Sequence, residues 1–284
     1  MDVCTQDGPG PLRFRGRPVG YLSHVAGRGG PAQVYRETVE LAVAAEELGF
    51  ASFWVAQHHA GALEGLLPSP LVLLGAVAER TSTIRLGTAV VAAALEDPRR
   101  LAEDAAVVDV LSGGRLELGV GAGADAAASA AFGRDHDRRH HDCERVVDVL
   151  CAELTGSWLV PAATGLRSRL WWATGSAAGV DAAADRGIGV LSGRPAHLPG
   201  TVEGLFRYRC AAADPRVALC RVVPAGEPGA AQLDRWAADP ALPSATELVV
   251  QTGPAAAGFS AHLGTLRAVS AAVRSALAAG TVRP

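Results

Sequence analysis

The most informative segment of the chain is Phe53-Trp54-Val55-Ala56-Gln57-His58-His59, which begins as a strand and ends in two histidines. Aromatic and β-branched side chains such as those of Phe53 and Val55 suit a strand buried in a core. Imidazoles are poor core material and titrate near neutral pH, so His58 and His59 at a strand end indicate proton transfer or metal binding. The alternative is that one histidine caps the loop and the other packs on the core.

The composition is typical of a globular protein and gives no indication of a strongly charged binding partner. Apolar residues make up 49% of the 284 residues and charged residues 19%, which is typical of a chain with a substantial core. The net charge of −3 gives no support for binding to nucleic acid or to an anionic membrane. The sequence contains no Lys, which excludes Schiff-base chemistry and phosphate binding by a P-loop lysine.

The cysteines and the first residues bear on the location of the protein. The five cysteines are widely spaced, with no C-x-x-C pair, and are Cys4, Cys143, Cys151, Cys210 and Cys220. Because residues 1–18 contain no apolar segment long enough for a signal or a membrane span, we expect free thiols in a reducing cytoplasm. We expect residues 1–18 to form a loose leader and residues 19–284 to form a single domain.

Short apolar runs alternate with helix-compatible sequence from residue 19 onward. The runs show little strict alternation, which is typical of strands buried on both faces of a parallel sheet. They are Val19–Ser23, Ala51–Ala56, Ile84–Val91, Leu116–Val120, Leu170–Ala173, Ile188–Leu191, Val217–Val223 and Leu248–Gln251. Eight such units predict an α/β fold, a closed (β/α)8 TIM barrel. Blurred periodicity over 193–247 predicts that its last third is irregular or compressed.

In a (β/α)8 barrel the active site lies at the C-terminal ends of the strands. The residues expected there include three histidines, a Gly-rich turn and a Gly-Ser turn that opens a helix. They are His24, Gln57, His58, His59, 89–94, 121–125, 174–176, Ser192 and Gln251. We therefore favour a functional role for His58, and we expect a substrate among His24, Gln57, His59 and Gln251. The small residues Ala92–Ala94 suit an apolar organic substrate.

Several segments resemble one known family in their order and spacing. They are Ala45-Glu46-Glu47-Leu48-Gly49-Phe50, Trp54-Val55-Ala56-Gln57-His58-His59, Arg80-Thr81-Ser82-Thr83-Ile84-Arg85-Leu86-Gly87-Thr88-Ala89-Val90-Val91, Asp97-Pro98 and Asp109-Val110-Leu111-Ser112-Gly113-Gly114-Arg115-Leu116-Glu117-Leu118-Gly119-Val120-Gly121. Together they resemble the bacterial luciferase-like flavin monooxygenases, especially the FMN-dependent luciferase-like branch. The resemblance runs from about residue 34 to residue 192. It implies a (β/α)8 barrel, as the count of strands does independently.

The resemblance also implies the chemistry of the site. Reduced FMN, delivered by a separate flavin reductase, would bind at the C-terminal rim and react with O2. His58 matches the family histidine implicated in acid–base chemistry, and His59 follows it. Ala89 and Val90 match the pair under the flavin ring, where a non-proline cis peptide can occur in the family. A homodimer, or a heterodimer with a paralogue, is the expected assembly.

The phosphate end of the cofactor is expected at the turn Gly175-Ser176. A hydroxyl at a helix N-terminus suits an anion, because the free N–H groups and the helix dipole favour negative charge. A plain helix cap is the alternative. Two positions depart from the family: Ala122 stands where many relatives have a phosphate-binding Arg, and Gly179 where some have a hydroxyl. We therefore expect weak FMN binding unless one of Arg134, Arg138 and Arg139 compensates.

Two other segments of the sequence are compatible with different functions. The turn at 116–123 resembles the first motif of S-adenosylmethionine-dependent methyltransferases and also fits G-x-G-x-x-A, but both folds expect it on an early strand. His136, His140, His141 and Cys143 suggest a metal site, although Asp137-Arg138-Arg139 between them looks solvated, so we expect no metal. A deazaflavin in place of FMN, and a non-catalytic flavin-binding or partner protein of the same fold, remain open alternatives.

Overall fold

A computed structural model describes residues 10–279, in which eight parallel strands form a closed barrel. The barrel strands are β2 (Arg17–Ser23), β3 (Ser52–Val55), β4 (Arg85–Thr88) with its continuation β5 (Val91–Ala92), β6 (Leu116–Gly121), β7 (Leu170–Ala173), β8 (Gly189–Ser192), β9 (Val217–Pro224) and β10 (Glu247–Gly253). Strand β2 pairs with both β10 and β3, which closes the sheet on itself. The predicted (β/α)8 barrel and its eight strands are confirmed.

Helices surround the barrel. They are α1 (Pro31–Glu47), α2 (Pro70–Ala78), α3 (Pro98–Leu111), α4 (Ala126–Ala131), α5 (Arg139–Glu153), α6 (Ala177–Asp185), α7 (Thr201–Ala211), α8 (Gly229–Ala238) and α9 (Phe259–Ala278). Helix α3 begins as its sequence predicts, because Asp97 accepts hydrogen bonds from the backbone N–H groups of Arg99 and Arg100 and Pro98 occupies the first turn. The stretch 193–247 was expected to be irregular or compressed, but it is regular. It contains α7 with 11 residues, the 8-residue strand β9 and α8 with 10 residues, whereas α2 and α6 have 9 residues each.

Two tryptophans fill the inside of the barrel. Trp54 and Trp171 meet edge to face, with ring centroids 5.8 Å apart. Each needs a glycine opposite: a Cβ on Gly87 would lie 2.0 Å from the Trp54 ring, and one on Gly189 would lie 2.5 Å from the Trp171 ring. These glycines are required by packing, since no side chain fits between the rings and the neighbouring strand.

Residues 10–18 are ordered, which differs from the loose leader expected there. Strand β1 (Arg13–Phe14) pairs antiparallel with the start of β2. Leu12 and Phe14 are each 1% exposed, and the Phe14 ring packs on Trp236 with centroids 5.5 Å apart. Two apolar side chains at alternate positions give this hairpin enough burial to fold onto the N-terminal end of the barrel. The rest of the predicted leader, residues 1–9, lies outside the described residues.

The closed barrel excludes the two open-sheet interpretations of the Gly-rich turn. Strand β6 carries this turn and pairs with β4, β5 and β7 in the middle of the closed sheet. A methyltransferase or a dinucleotide-binding fold would place the motif at the first strand of an open sheet. Both alternatives are therefore wrong. None of the helices in residues 10–279 is long and apolar enough to cross a membrane.

Candidate active site

Side chains along β3 and the residues after it point alternately into the barrel and toward the helices, and this alternation determines where His58 points. Trp54 and Ala56 point into the barrel and belong to its inner cluster, so the next residue on that face is His58. Gln57 lies on the other face, toward the helices. The period of two thus places His58 at the mouth of the barrel, above the packed tryptophans.

Three predicted residues meet at the mouth through hydrogen bonds. His24 Nδ1 lies 3.0 Å from His58 Nε2, and His24 Nε2 lies 2.8 Å from Gln251 Oε1. The two imidazole rings also stack, with centroids 5.3 Å apart and an interplanar angle of 30°. The ends of β2, β3 and β10 therefore deliver one connected row of polar side chains, His58, His24 and Gln251.

The surroundings keep His58 neutral. Burial, and then the neighbouring imidazoles of His24 and His59, lower the pKa of His58 to about 4, while Asp125 acts in the opposite direction. A neutral imidazole has one N–H and one free lone pair, so His58 can both donate and accept a hydrogen bond at the mouth of the barrel near neutral pH.

Gln57 faces away from this row. Its amide N–H groups donate to the carbonyl oxygen of Pro68 at 2.9 Å and to Glu96 Oε1 at 3.0 Å, and its Oε1 accepts from Ala92 N–H at 2.6 Å. These three hydrogen bonds of the Gln57 amide hold the loops after β3 and β4 together. Gln57 lines the cleft and its amide is engaged in these hydrogen bonds, so its contact with a substrate stays a prediction.

A cleft of about 450 Å³ opens above the histidines. Its lining is mostly small and apolar and includes His24, Gln57, His58, His59, Ala89, Val90, Ala92, Leu95, Ala122, Gly123, Ala128 and Leu63. The peptide bond between Ala89 and Val90 is cis, at the place that the family resemblance indicates. His59 Nε2 is buried and has no hydrogen-bond partner among residues 10–279, and its ring packs edge to face on Phe132.

A second cleft, of about 430 Å³, lies beside the first and shares Ala122 with it. Gly175 and Ser176 line this second cleft, at the N-terminus of α6. Ser176 Oγ accepts a hydrogen bond from Gly179 N–H at 3.1 Å, so the plain cap considered above is present. The hydroxyl is exposed and retains a donor for a ligand. Because Ala122 has no long side chain, the two clefts meet there.

Gly179 makes room for a hydroxyl from another residue. A Cβ at Gly179 would lie 2.0 Å from Thr174 Oγ1, so only glycine allows Thr174 to lie over the first turn of α6. Thr174 lines the same cleft as Ser176. The turn therefore still has a second hydroxyl, that of Thr174, although Gly179 stands where some relatives have one.

The cationic side chains near the Ser176 turn differ from those we expected. His140 and His141 of α5 line the cleft, whereas Arg134, Arg138 and Arg139 do not belong to its lining. Arg194, which follows β8, lies against the turn: a Cβ on Gly175 would be 3.7 Å from Arg194 Nη1. These three groups could not be assigned to the turn from the sequence, because only the barrel brings the loops after β7 and β8 and the start of α5 together. Glu144 also lines the cleft, and Arg186 binds it at 3.0 Å.

The metal alternative finds no geometric support. Among residues 10–279, no three His, Cys, Asp or Glu side chains converge as metal ligands. His136 Nδ1 lies 3.1 Å from Ser129 Oγ, away from the cleft that His140 and His141 line. Burial raises the pKa of the Cys143 thiol to about 12, which makes a thiolate ligand unfavourable.

A closed (β/α)8 barrel with histidines and a helix N-terminus on one rim defines a class of barrel enzymes that act on small molecules. The sequence profile of the luciferase-like monooxygenases matches residues 19–258, and the chain belongs to that family. The family predicted from the sequence is thereby confirmed.

Individual relatives agree with this assignment. The chain is 34% identical over 104 residues to the flavin-dependent trigonelline monooxygenase, oxygenase component, of Acinetobacter baylyi, which is 37% of this chain and 29% of that protein. It is 40% identical over 106 residues to the F420-dependent glucose-6-phosphate dehydrogenase of Amycolatopsis mediterranei, 35% of this chain and 31% of that one. Matches to the first curated relatives span about a third of their length. The crystal structure of monooxygenase RslO1 from Streptomyces bottropensis superposes with a TM-score of 0.74 at 22% identity, covering 92% of this chain and 99% of that one.

Proposed function

We propose that this chain is the oxygenase of a two-component, flavin-dependent monooxygenase that uses reduced FMN and O2 on a small, apolar organic molecule. The observation that carries the proposal is the pair of clefts that meet at Ala122. One cleft carries His58 and the Ala89–Val90 peptide, and the other carries the Ser176 turn. The F420-dependent relative makes a deazaflavin the competing cofactor.

The residues of the two clefts fit a flavin mononucleotide in their chemistry. Ala89, Val90 and Ala122 offer apolar surface for a ring system. The Ser176 and Thr174 hydroxyls and the N-terminus of α6 offer donors for a phosphate. His140, His141 and Arg194 supply positive charge nearby when the histidines are protonated. No arginine at position 122 is needed for such contacts, although its absence lowers the expected affinity.

When bound, reduced FMN supplies the electrons that activate O2. His58, neutral at the mouth of the barrel, accepts or returns a proton there, a role that typically contributes about 10²–10⁴-fold to the rate. His59 offers its unpartnered Nε2 as a hydrogen-bonding group. The alanines that line the cleft give the reacting centre an apolar wall, which disfavours water there.

The lining of the first cleft also limits the substrate. Among residues 10–279, Asp125 is the only carboxylate that lines it, and no Arg does. Leu63, which lines the cleft, is 73% exposed, and Phe132, which packs on His59, is 52% exposed. Exposed apolar side chains on a rim mark a place where an apolar molecule binds. We therefore propose a largely apolar substrate that makes one polar contact with His59.

The test supplies FMN reduced by a flavin reductase and measures incorporation of ¹⁸O from ¹⁸O2 into a panel of small apolar compounds. The proposal predicts that a labelled product forms with the wild-type chain and is severely reduced with His58→Ala at equal flavin binding. The same test with reduced F420 decides between the cofactors. Flavin binding without product from any member of the panel would favour the non-catalytic flavin-binding protein.

We further propose that the chain dimerises, with a second copy or with a paralogue, through α2 and α3. Every residue of α2, Pro70–Ala78, is apolar or glycine, although the helix lies on the outside of the barrel. Its Val72 is 77% exposed and shares a groove with Val107 and Leu111 of α3. Such a patch is typical of an interface. We place the complex in the cytoplasm, in keeping with the free thiols of the four described cysteines.

A further inference from the structure

The row His58–His24–Gln251 has a defined hydrogen-bond direction. The Gln251 Oε1 atom can only accept, so the hydrogen bond at 2.8 Å requires a proton on His24 Nε2. A neutral His24 then has an unprotonated Nδ1, which accepts the proton of His58 Nε2 at 3.0 Å. His58 consequently keeps a free lone pair on Nδ1. This atom has no hydrogen-bond partner among residues 10–279, and the side chain lines the cleft.

The surrounding backbone fixes both imidazole rings. The His58 ring lies on the backbone of Gly65, where a Cβ would be 2.3 Å from its Cδ2 atom. Gly65 in turn forms an antiparallel bridge with Ala26, two residues after His24. The loops that carry the two histidines are therefore tied to each other, and the stacked rings have little freedom to turn.

The residue after His24 is strained. Val25 has a φ of +50°, which β-branched residues rarely adopt. Its N–H donates to Ser23 Oγ at 3.1 Å, and its carbonyl oxygen accepts from Leu66 N–H at 3.1 Å. Such conformations persist where the surroundings over-determine them, and they cluster at functional sites. At this position the two hydrogen bonds of Val25 hold this conformation directly after His24.

The other end of the row is anchored from outside the barrel. Gln251 points inward on β10, and the next residue, Thr252, points outward. The Tyr21 hydroxyl lies 2.7 Å from Thr252 Oγ1 and 2.7 Å from His262 Nδ1. These contacts fix the backbone at the end of β10, from which the Gln251 side chain extends toward His24.

We propose that His24 and Gln251 are positioning residues that form a proton relay behind His58. When His58 Nδ1 takes a proton from the cleft, the proton on His58 Nε2 passes to His24 Nδ1. His58 is again neutral, now protonated on Nδ1, and His24 is an imidazolium whose Nε2–H remains bonded to Gln251. One proton enters, its charge rests on His24, and the reverse transfer returns it. The use of this relay in turnover rests on the proposed function; its geometry does not.

Other ionisable groups around the relay set the conditions for its test. His59 on the same loop and Asp125 at the start of α4 act on His58, and His262 of α9 interacts with His24. None of these is altered by a substitution at Gln251. A change at Gln251 therefore reports on the relay while the rest of the electrostatic environment stays constant.

The experiment uses the full chain without flavin and follows imidazole ¹⁵N chemical shifts by NMR as a function of pH. Wild-type His58 is expected with its proton on Nε2 near neutral pH. Gln251→Glu places a carboxylate on His24 and should raise the pH of proton uptake by the histidine pair by about 1–3 units. Gln251→Met, of similar shape, should lower it. Gln33→Glu adds the same charge on the exposed face of α1 and should change nothing.

A His58 protonated on Nδ1 in the wild-type chain would overturn the proposal without any variant. So would identical titrations of the wild type, Gln251→Glu and Gln251→Met. In the oxygenation assay the pH profile of the rate should move in the same directions as the titration. If the NMR results hold and no product forms with any substrate, the relay stands and the proposed function fails.

Discussion

Ser176 lies at the N-terminus of α6, where its hydroxyl serves as a helix cap and, by our account, as a phosphate ligand. Substitution by Ala removes both roles, whereas Asp retains a side-chain acceptor for the cap but repels a phosphate. Thr keeps both. The three variants therefore separate contributions that a single Ser176→Ala substitution would mix.

The magnitudes follow from the contacts. A hydrogen bond to a charged group is worth about 1.5–3 kcal/mol, so loss of the serine should weaken FMN binding by about 10–150-fold. Loss of the cap to Gly179 N–H should cost about 1 kcal/mol of folding stability in Ser176→Ala only. Ser176→Asp should bind FMN at least as weakly as Ser176→Ala while keeping nearly the wild-type free energy of unfolding.

The assay is calorimetric titration with FMN and with riboflavin, which lacks the phosphate, beside thermal unfolding of each variant. Riboflavin affinity should be the same for all variants. Ala122→Arg, which restores a bidentate donor between the two clefts, should strengthen FMN binding and leave riboflavin unaffected. If FMN and riboflavin respond alike to Ser176→Asp, the turn is only a helix cap and the phosphate binds elsewhere.

Three further outcomes are expected. His58→Ala should lower the oxygenation rate by about 10²–10⁴-fold with FMN affinity retained, and His59→Ala should lower it less; equal rates for wild type and His58→Ala would remove the acid–base role. Burial raises the pKa of Glu247, inside the barrel, from 4.5 to about 7, so its contribution to stability is full below about pH 4.5 and is lost as pH rises through about 7. Glu247→Gln should abolish that loss, at most about 3 kcal/mol, in unfolding curves at about pH 5 and about pH 8, and an unchanged pH dependence would contradict this assignment. Val72→Glu should convert the dimer to a monomer in sedimentation velocity, while a monomeric wild type would refute the α2–α3 interface.

The barrel and the position of His58 follow from local patterns in the sequence. Eight apolar runs with intervening helices define the strands, and period-two alternation from Trp54 sets the face of His58. The order of the residues along the chain also suffices to place His24 and Gln251 at strand ends. Their hydrogen bonds could not be predicted, because they depend on the closure of β2 against β10, more than 200 residues away in sequence.

The groups around the Ser176 turn show the limit of sequence reasoning more clearly. His140 lies in α5 and Arg194 in the loop after β8, and only their packing in the barrel makes them neighbours of this turn. From the sequence, Gly179 indicated that a hydroxyl found in some relatives is missing. In the structure, the absence of a Cβ at Gly179 leaves space for the Thr174 hydroxyl. The hairpin at Leu12 and Phe14 was missed for a similar reason, since two apolar residues in a Gly- and Arg-rich segment gain their burial from distant elements such as Trp236.

The most direct test of the central claim is a crystal structure of this chain with FMN bound. The account predicts the isoalloxazine ring against Ala89–Val90 and within reach of His58, with the phosphate at Ser176 and Thr174. The ring and the phosphate should bridge the two clefts across Ala122. Density for FMN elsewhere on the protein, or none at a concentration that saturates binding in solution, would contradict the account.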